Sequence, residues 1–299
     1  MSDSISWAPS PLTSRIEVNG PSHDRFLQGL CSNDVVAMEI GAACEAYVPT
    51  VQGKVLAHGY LLKEESRVVF AGLGTQSTDL LPHLQKYAMI EDVEVIDHGT
   101  KVPAILVWGS EAAAWVAQQI GQTDLPAPLR HASFEFDGET VELFRTTLLE
   151  ADSFELRGPG VLKLVEGIPS SAESWDTLRI LNGFPLHGVD ISAEHLAQEV
   201  NRDNQAISFK KGCYLGQETV ARIDAMGHVN KKLVSIIMEP SGEMPALPAT
   251  LVVQGKEVGR ITSLCLAEGK WRGLGMIRRG MNAAGSKLTC DLGTVEIVA

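Results

Sequence analysis

The eight residues Lys211-Gly-Cys-Tyr-Leu-Gly-Gln-Glu218 carry more information than any other stretch of this 299-residue chain. A single thiol, Cys213, follows Lys210, Lys211 and Gly212 and precedes Tyr214, Gly216 and a Gln-Glu pair. Cationic neighbours stabilise a thiolate over a thiol. Glycines on both sides permit positive φ and close backbone approach, which suits a ligand-facing loop. Gly216 is expected to release the chain into a helix through Gln217 to Arg222, whose N-terminal N–H groups would add positive potential near Cys213. Glu218 and Arg222, four apart with the carboxylate first, are spaced for a helical ion pair. The same run also reads as a tight strand-to-helix connection with Tyr214 packed beneath it.

The charge around this loop differs from that of the rest of the chain. Between Arg202 and Lys232 six basic residues (Arg202, Lys210, Lys211, Arg222, Lys231, Lys232) face three acidic ones (Asp203, Glu218, Asp224), a net +3. The whole chain carries −12, so the remainder is −15. That excess of acid opposes general affinity for nucleic acid or anionic lipid. The basic island suits a small anionic ligand, or else a solvated face near a domain junction. His228 adjoins it and is a candidate for facing a ligand.

Composition narrows the class further. With 44% hydrophobic and 21% charged residues, the chain reads as soluble and globular. No run approaches 18 uninterrupted apolar residues, so no membrane span is expected. The N-terminal Met-Ser-Asp-Ser-Ile-Ser has neither the basic nor the apolar region of a secretory leader. Cys31, Cys44, Cys213, Cys265 and Cys290 are odd in number and lack C-x-x-C spacing. They support no disulfide framework and no sequence-local metal site, and they fit a reducing cytosol. Neither a G-x-S-x-G nucleophile nor a glycine-rich phosphate cradle is present.

Beyond about Val229, six short strands are separated by Gly-rich turns: Leu233–Met238, Thr250–Val253, Val258–Ser263, Arg272–Ile277, Lys287–Cys290 and Val295–Val298. Gly255-Lys256 reads as a hairpin turn between two of them. Six strands without helices predict a small antiparallel barrel or sandwich. Upstream, Ser22 caps a short helix with Phe26, Leu27 and Leu30 on its apolar face. Tyr47 to Leu62 alternates like a hairpin, with Val51-Gln-Gly-Lys54 at its turn. Strands at Val68–Ala71, Val93–Ile96, Ala104–Val107 and Thr140–Phe144 alternate with helices from Asp79 and Ser110, predicting an α/β unit over about 47–146. Ser170-Ser-Ala-Glu173 resembles a capping box, opening a helix that stops at Gly183. Gln28, Asn33 and Asp34 can read a heterocycle edge with their amides and carboxylate. Alternatively, they cap the first helix and start a turn.

These features together resemble the YgfZ family of folate-binding proteins, relatives of the T-protein (aminomethyltransferase) of the glycine cleavage system. The resemblance spans essentially the whole chain. It rests on K-G-C-Y-x-G-Q-E at Lys211 to Glu218, Phe26-Leu-Gln-Gly ahead of Ser32-Asn-Asp34, the Gly53-Lys54 turn, and His83-Leu-Gln-Lys-Tyr87. Gly183-Phe-Pro, Gly188-Val-Asp190, Ala206-Ile-Ser-Phe209, Thr219-Val-Ala-Arg222, Val258-Gly-Arg-Ile-Thr-Ser263 and Gly273-Leu-Gly-Met276 also fit.

The resemblance implies an α+β fold, a three-domain ring of the T-protein type, with two α/β domains and a C-terminal antiparallel β-barrel. The corresponding boundaries are 1–46 with 147–227, then 47–146, then 228–299. It implies a central hole accepting tetrahydrofolate, and a cytoplasmic role assisting iron–sulfur cluster assembly or repair. Partners would be iron–sulfur assembly proteins or client enzymes such as those that thiolate tRNA, with no direct contact to nucleic acid or membrane. Carried over, Cys213 and Lys211 are the catalytic candidates, and Cys213 faces the cavity. Gln28, Asn33, Lys54, Tyr214, Gln217, Glu218 and Arg222 line or support the folate cavity, and no metal ligands are implied. The basic island would meet the glutamate tail.

One departure bears on the activity. T-proteins carry G-G-x-x-D-D after the first hairpin strand, and here Ala57 and His58 stand where the aspartates would be. A neutral imidazole does not stabilise a developing iminium cation as a carboxylate does. The T-protein-like R-L-E-A-G is replaced by Arg179-Ile-Leu-Asn-Gly183, which loses a glutamate. Both changes argue against aminomethyl transfer. A tetrahydrofolate-dependent one-carbon transferase, with His58 or Glu218 as proton acceptor, is the alternative.

Overall fold

A computed structural model describes residues 5–150, 152–171, 174–240, 242–290 and 292–298. The chain opens with β1 (Ser6–Pro9), β2 (Ser14–Asn19) and the short helix α1 (His23–Gln28). It continues through the hairpin β3 (Ala43–Pro49) and β4 (Val55–Lys63), then β5 (Arg67–Gly72), α2 (Ser77–Ala88) and β6 (Glu94–Asp97). Next come β7 (Ala104–Trp108), α3 (Ala112–Ile120), β8 (Arg130–Phe136), β9 (Glu139–Thr146) and β10 (Ser153–Arg157). Helices α4 (Val161–Leu164) and α5 (Ser174–Leu181), a 3-10 turn at Ala197–Glu199, α6 (Asp203–Ala206) and α7 (Gln217–Met226) follow. The chain closes with β11 (Lys231–Met238), β12 (Ala249–Val253), β13 (Lys256–Ala267), β14 (Lys270–Arg278), β15 (Lys287–Cys290) and β16 (Gly293–Val298). Ala172 and Glu173 of the expected capping box, and the first four residues, lie outside the described residues.

Three sheets organise these elements. One has the order β1-β7-β10-β9-β8, a second β3-β4-β5-β2-β6, and the third β12-β13-β14-β11-β16-β15. The third is the predicted barrel, nearly closed because its outer strands β12 and β15 pack together. Its core comprises Ile236, Leu251, Ile261, Ile277, Val295 and Ile297. The hairpin turn at Gly255 forms as expected, with Gln254 and Gly255 both at positive φ.

The first two sheets depart from the expected α/β unit. Every pairing in them is antiparallel, so the alternation of strands and helices does not build parallel crossovers. Residues 14–97 supply one sheet, while 6–9 join 104–157 in the other, dividing the range 47–146 between two sheets. Apolar faces explain the arrangement. Tyr60, Leu62, Val69 and Ala71 of one sheet pack with Leu106, Trp108 and Phe144 of the other in a shared core. Burial of each such large side chain is worth roughly 1.5–3 kcal/mol.

Charges cross this junction too. Arg15 of β2 is buried and pairs with Glu142 of β9, and it faces Glu155 of β10 at 3.7 Å. Arg157 and Ser10 also hold Glu155, at 3.2 and 2.6 Å. Arg67 bonds Glu17 at 2.5 Å on the same side.

The barrel is docked by another buried charge. Arg179 of α5 donates to Asp190 at 2.8 Å, to Ser263 at 3.0 Å and to the Phe184 carbonyl at 3.1 Å. Asp190 also accepts from Thr262 and Ser263, at 2.6 and 2.7 Å. The Gly188-Val-Asp190 and Val258–Ser263 stretches are therefore two halves of one junction.

Candidate functional site

Two stretches far away in sequence, residues 28–33 and the β3–β4 turn, meet the Cys213 loop. Lys211 Nζ is buried and donates to the carbonyl oxygens of Gln28, Cys31 and Asn33, each at 2.8 Å. A buried ammonium needs such partners, because desolvating it unpaired is costly. Burial lowers the Lys211 pKa, opposed by Cys31 and Asp34. The Leu215 N–H donates to the Gly29 carbonyl at 2.9 Å, and the Ser208 N–H to Ser32 at 2.9 Å. Gly216, at φ +80°, seats the loop on the β3–β4 turn beside Gly53, itself at φ +75°. Only residues without a side chain fit both positions.

The anchored loop presents Cys213 to solvent. All three N–H donors of Lys211 are directed to carbonyls. Lys211 is an anchor, and its donors are not available to the thiol. Tyr214 lies beneath the loop with the Lys211 ammonium 4.9 Å from its ring centre, and burial pushes its hydroxyl up to about 12.

Beside the loop, one face of the β3–β4 hairpin carries a buried polar cluster. Glu45 and Tyr47 of β3 stand opposite Tyr60 and His58 of β4. His58 Nε2 lies 2.8 Å from Glu45 Oε1, and Arg202 grips the same carboxylate through Nε at 2.5 Å and Nη2 at 2.7 Å. Burial alone would raise the Glu45 pKa, but Arg202 and His58 override it and hold the carboxyl at about 2. Arg202 also lies over the Phe184 ring at 4.7 Å, with His58 between Phe184 and Tyr47 at 5.1 and 5.2 Å. This bidentate, stacked geometry is specific to a guanidinium. The cluster joins the loop through Asn33, whose carbonyl accepts from Lys211 and whose Nδ2 donates to the Glu45 carbonyl at 2.8 Å.

Arg202 opens onto a cavity of about 360 Å³, walled also by Glu150, Leu181, Asn182, Asn201 and Ser235. That is within the usual range for small-molecule sites, roughly 300–1,000 Å³. Arg202 Nη1, Asn182 Oδ1 and Ser235 Oγ have no hydrogen-bond partner among the described residues. Leu181 lines the wall at the position where the T-protein pattern has its glutamate.

The expected site residues divide into groups. Gln28 accepts from the Val35 N–H at 2.8 Å and donates to Asp34 at 2.9 Å, and Asn33 bonds the Glu45 and Gln205 carbonyls. Both are therefore committed to the cap-and-turn alternative, not to a ligand edge. Lys54 forms a backbone bridge with Leu196. Gln217 opens α7 half-buried, while Glu218 and Arg222 are exposed, and no ion pair joins them among the described residues. Cys213 is exposed and is not among the residues lining the 360 Å³ cavity. Within the basic island Arg202 binds Glu45, Lys211 binds carbonyls, Lys231 lies 3.8 Å from Glu199, and Lys232 bonds Asn201 at 3.2 Å. His58 is 2% exposed, too enclosed to serve as a proton acceptor for a substrate. Sequence reasoning missed Glu45 and its partnership with Arg202. The signal available was a lone charge in the otherwise apolar run Ala42–Val48.

No family model matches the chain. Among curated proteins it is 28% identical to a chloroplastic putative transferase of Arabidopsis thaliana, over 92% of this chain and 66% of that protein, just under two thirds of its length. It is 26% identical to the tRNA-modifying protein YgfZ of Escherichia coli O127:H6, covering 87% of this chain and 78% of that one. An aminomethyltransferase of Thermus thermophilus is 28% identical over 82% of this chain and 71% of its own length. The glycine cleavage system aminomethyltransferase T from Bartonella henselae superposes with a TM-score of 0.86, covering 99% of this chain and 85% of that one. The chain is thus similar over most of its length to proteins named YgfZ and to aminomethyltransferases. At 17% identity the Bartonella structure speaks for the fold alone, which is of the T-protein type. Among the described residues no helix is long and apolar enough to cross a membrane.

Proposed function

We propose that this protein binds tetrahydrofolate and acts as an accessory factor for iron–sulfur cluster assembly or repair, supporting cluster-dependent enzymes such as those that thiolate tRNA. The observation that carries the reading is the 360 Å³ cavity, where the Arg202 and Asn182 groups remain available while Leu181 replaces a carboxylate. The size suits a heterocyclic head, and Arg202 Nη1, Asn182 Oδ1 and Ser235 Oγ offer it a donor, an acceptor and a hydroxyl. Tetrahydrofolate, when bound, would supply a one-carbon carrier. The relatives named as tRNA-modifying proteins support the cellular role, and those named as aminomethyltransferases support the ligand class.

Iron–sulfur assembly proteins or client enzymes would meet the exposed Cys213, which stands on a loop whose backbone is tied down on three sides. The five free cysteines suit a reducing compartment such as the cytosol, and the chloroplastic relative makes an organelle a second setting. Ala57 and the enclosed His58 oppose aminomethyl transfer. In cells lacking the native gene, Cys213→Ala should fail to restore cluster-enzyme activity. Full restoration would remove the thiol from the account.

A further inference from the structure

A smaller cavity, of about 140 Å³, lies between the 3-10 turn, α6, the C-terminal half of α7 and the start of β11. Its walls include Gln198, Asp203, Asp224, His228 and Lys232. Two acceptor oxygens on these walls, Gln198 Oε1 and Asp203 Oδ1, are buried without a hydrogen-bond partner. Buried polar atoms are satisfied in the great majority of cases, so two orphans on one cavity point to a group that completes them. Gln198 is 4% exposed, and its Nε2 donates to the Val220 carbonyl at 2.9 Å, which turns Oε1 away from that carbonyl. Reversing the amide would set two oxygens against each other. Nδ1 of His228 lies 2.9 Å from the Met226 carbonyl, an arrangement in which Nδ1 carries the proton and Nε2 of the neutral ring accepts. Lys232, the basic group on the wall, is directed to Asn201 at 3.2 Å.

We propose that this cavity is a binding site for a small organic cation with several N–H donors, of the guanidinium or amidinium class. The complement is a carboxylate and an amide oxygen on separate elements, with Asp224 adding negative charge. Ile223 and Val229 form apolar walls able to take a short alkyl substituent. A bare metal ion fits poorly, because no group of three metal-ligating side chains occurs among the described residues. The site goes beyond the folate reading, yet it adjoins the larger cavity through two links. Asp203 follows Arg202 in sequence, and Lys232 on one cavity bonds Asn201 on the other.

The test is a titration of the full chain with methylguanidinium at constant ionic strength, read by amide chemical shifts at Gly227 and Val229 and containing no folate. Saturable shifts are expected, weakened tenfold or more in Asp203→Asn and in Gln198→Met, with both variants folded by circular dichroism. Tetramethylammonium, which has the charge but no N–H, should produce no saturable shift. Equal responses to the two cations, saturation by potassium chloride alone, unchanged affinity in both variants, or no saturable response would each overturn the proposal.

Discussion

Gly216 rests directly on Gly53. A β-carbon added to Gly216 would stand 3.1 Å from the Gly53 Cα and overlap the Thr50 carbonyl oxygen. The loop bearing Cys213 and the turn of the β3–β4 hairpin are thus fixed to each other by the absence of two side chains. Gly216→Ala combines that overlap with an L-residue at φ +80° and should cost on the order of 3 kcal/mol in chemical denaturation. Wild-type stability in this variant would show that the close approach does not hold the loop.

Lys211 and Cys213, two residues apart, should respond oppositely to substitution. Lys211→Met leaves three buried carbonyl oxygens without their donor and should lose about 3 kcal/mol. Cys213→Ala removes an exposed thiol and should stay within about 0.5 kcal/mol of wild type. Urea unfolding of the two variants measures both. A destabilised Cys213→Ala would assign the thiol a structural duty.

Arg202→Ala strands a buried carboxylate and should cost about 3–5 kcal/mol near neutral pH. The pH dependence follows from Glu45, whose folded pKa of about 2 lies below its ordinary 4.5. A depressed acid adds stability above its unfolded pKa and loses it as pH falls toward the folded value. The deficit of Arg202→Ala should therefore narrow between about pH 4.5 and 2. A constant deficit across that window would contradict the pairing.

Asp203 has the opposite sign. Burial first, and the Asp224 charge after it, raise its pKa from 3.8 to about 6, against the pull of Lys232. Its ionised form therefore penalises the folded state above about pH 6, and the penalty fades as pH falls toward 3.8. Asp203→Asn should stabilise the protein at pH 7.5 by about 1–2 kcal/mol, a figure reduced for partial solvent screening, with no gain near pH 4. Thermal melts at the two pH values check it.

The barrel was legible because its strands alternate and glycine marks the Gln254-Gly255 turn, a local signal. Strands β2 and β10 were not, for a shared physical reason. Ser14-Arg-Ile-Glu-Val-Asn19 and Ser153-Phe-Glu-Leu-Arg157 carry charges at Arg15, Glu17, Glu155 and Arg157, all of which are buried. Arg15 and Glu17 pair with charges on other strands, and Glu155 meets Arg15 and Ser10 as well as its strand neighbour Arg157, so local pattern reads the segments as exposed. The candidate site divided along the same line. The loop glycines and Cys213 could be read from adjacent residues, whereas Glu45 and Arg202 stand 157 positions apart and acquire meaning only when paired. Lys211 shows the converse, since two lysines beside a cysteine suggested priming until the three carbonyls accounted for one of them.

Calorimetric titration of the full chain with tetrahydrofolate bears most directly on the central claim. The account predicts saturable one-to-one heat that weakens at least tenfold when Asn182→Leu removes a cavity-wall amide. Absence of binding to the folded wild-type protein, or binding indifferent to that substitution, would contradict it.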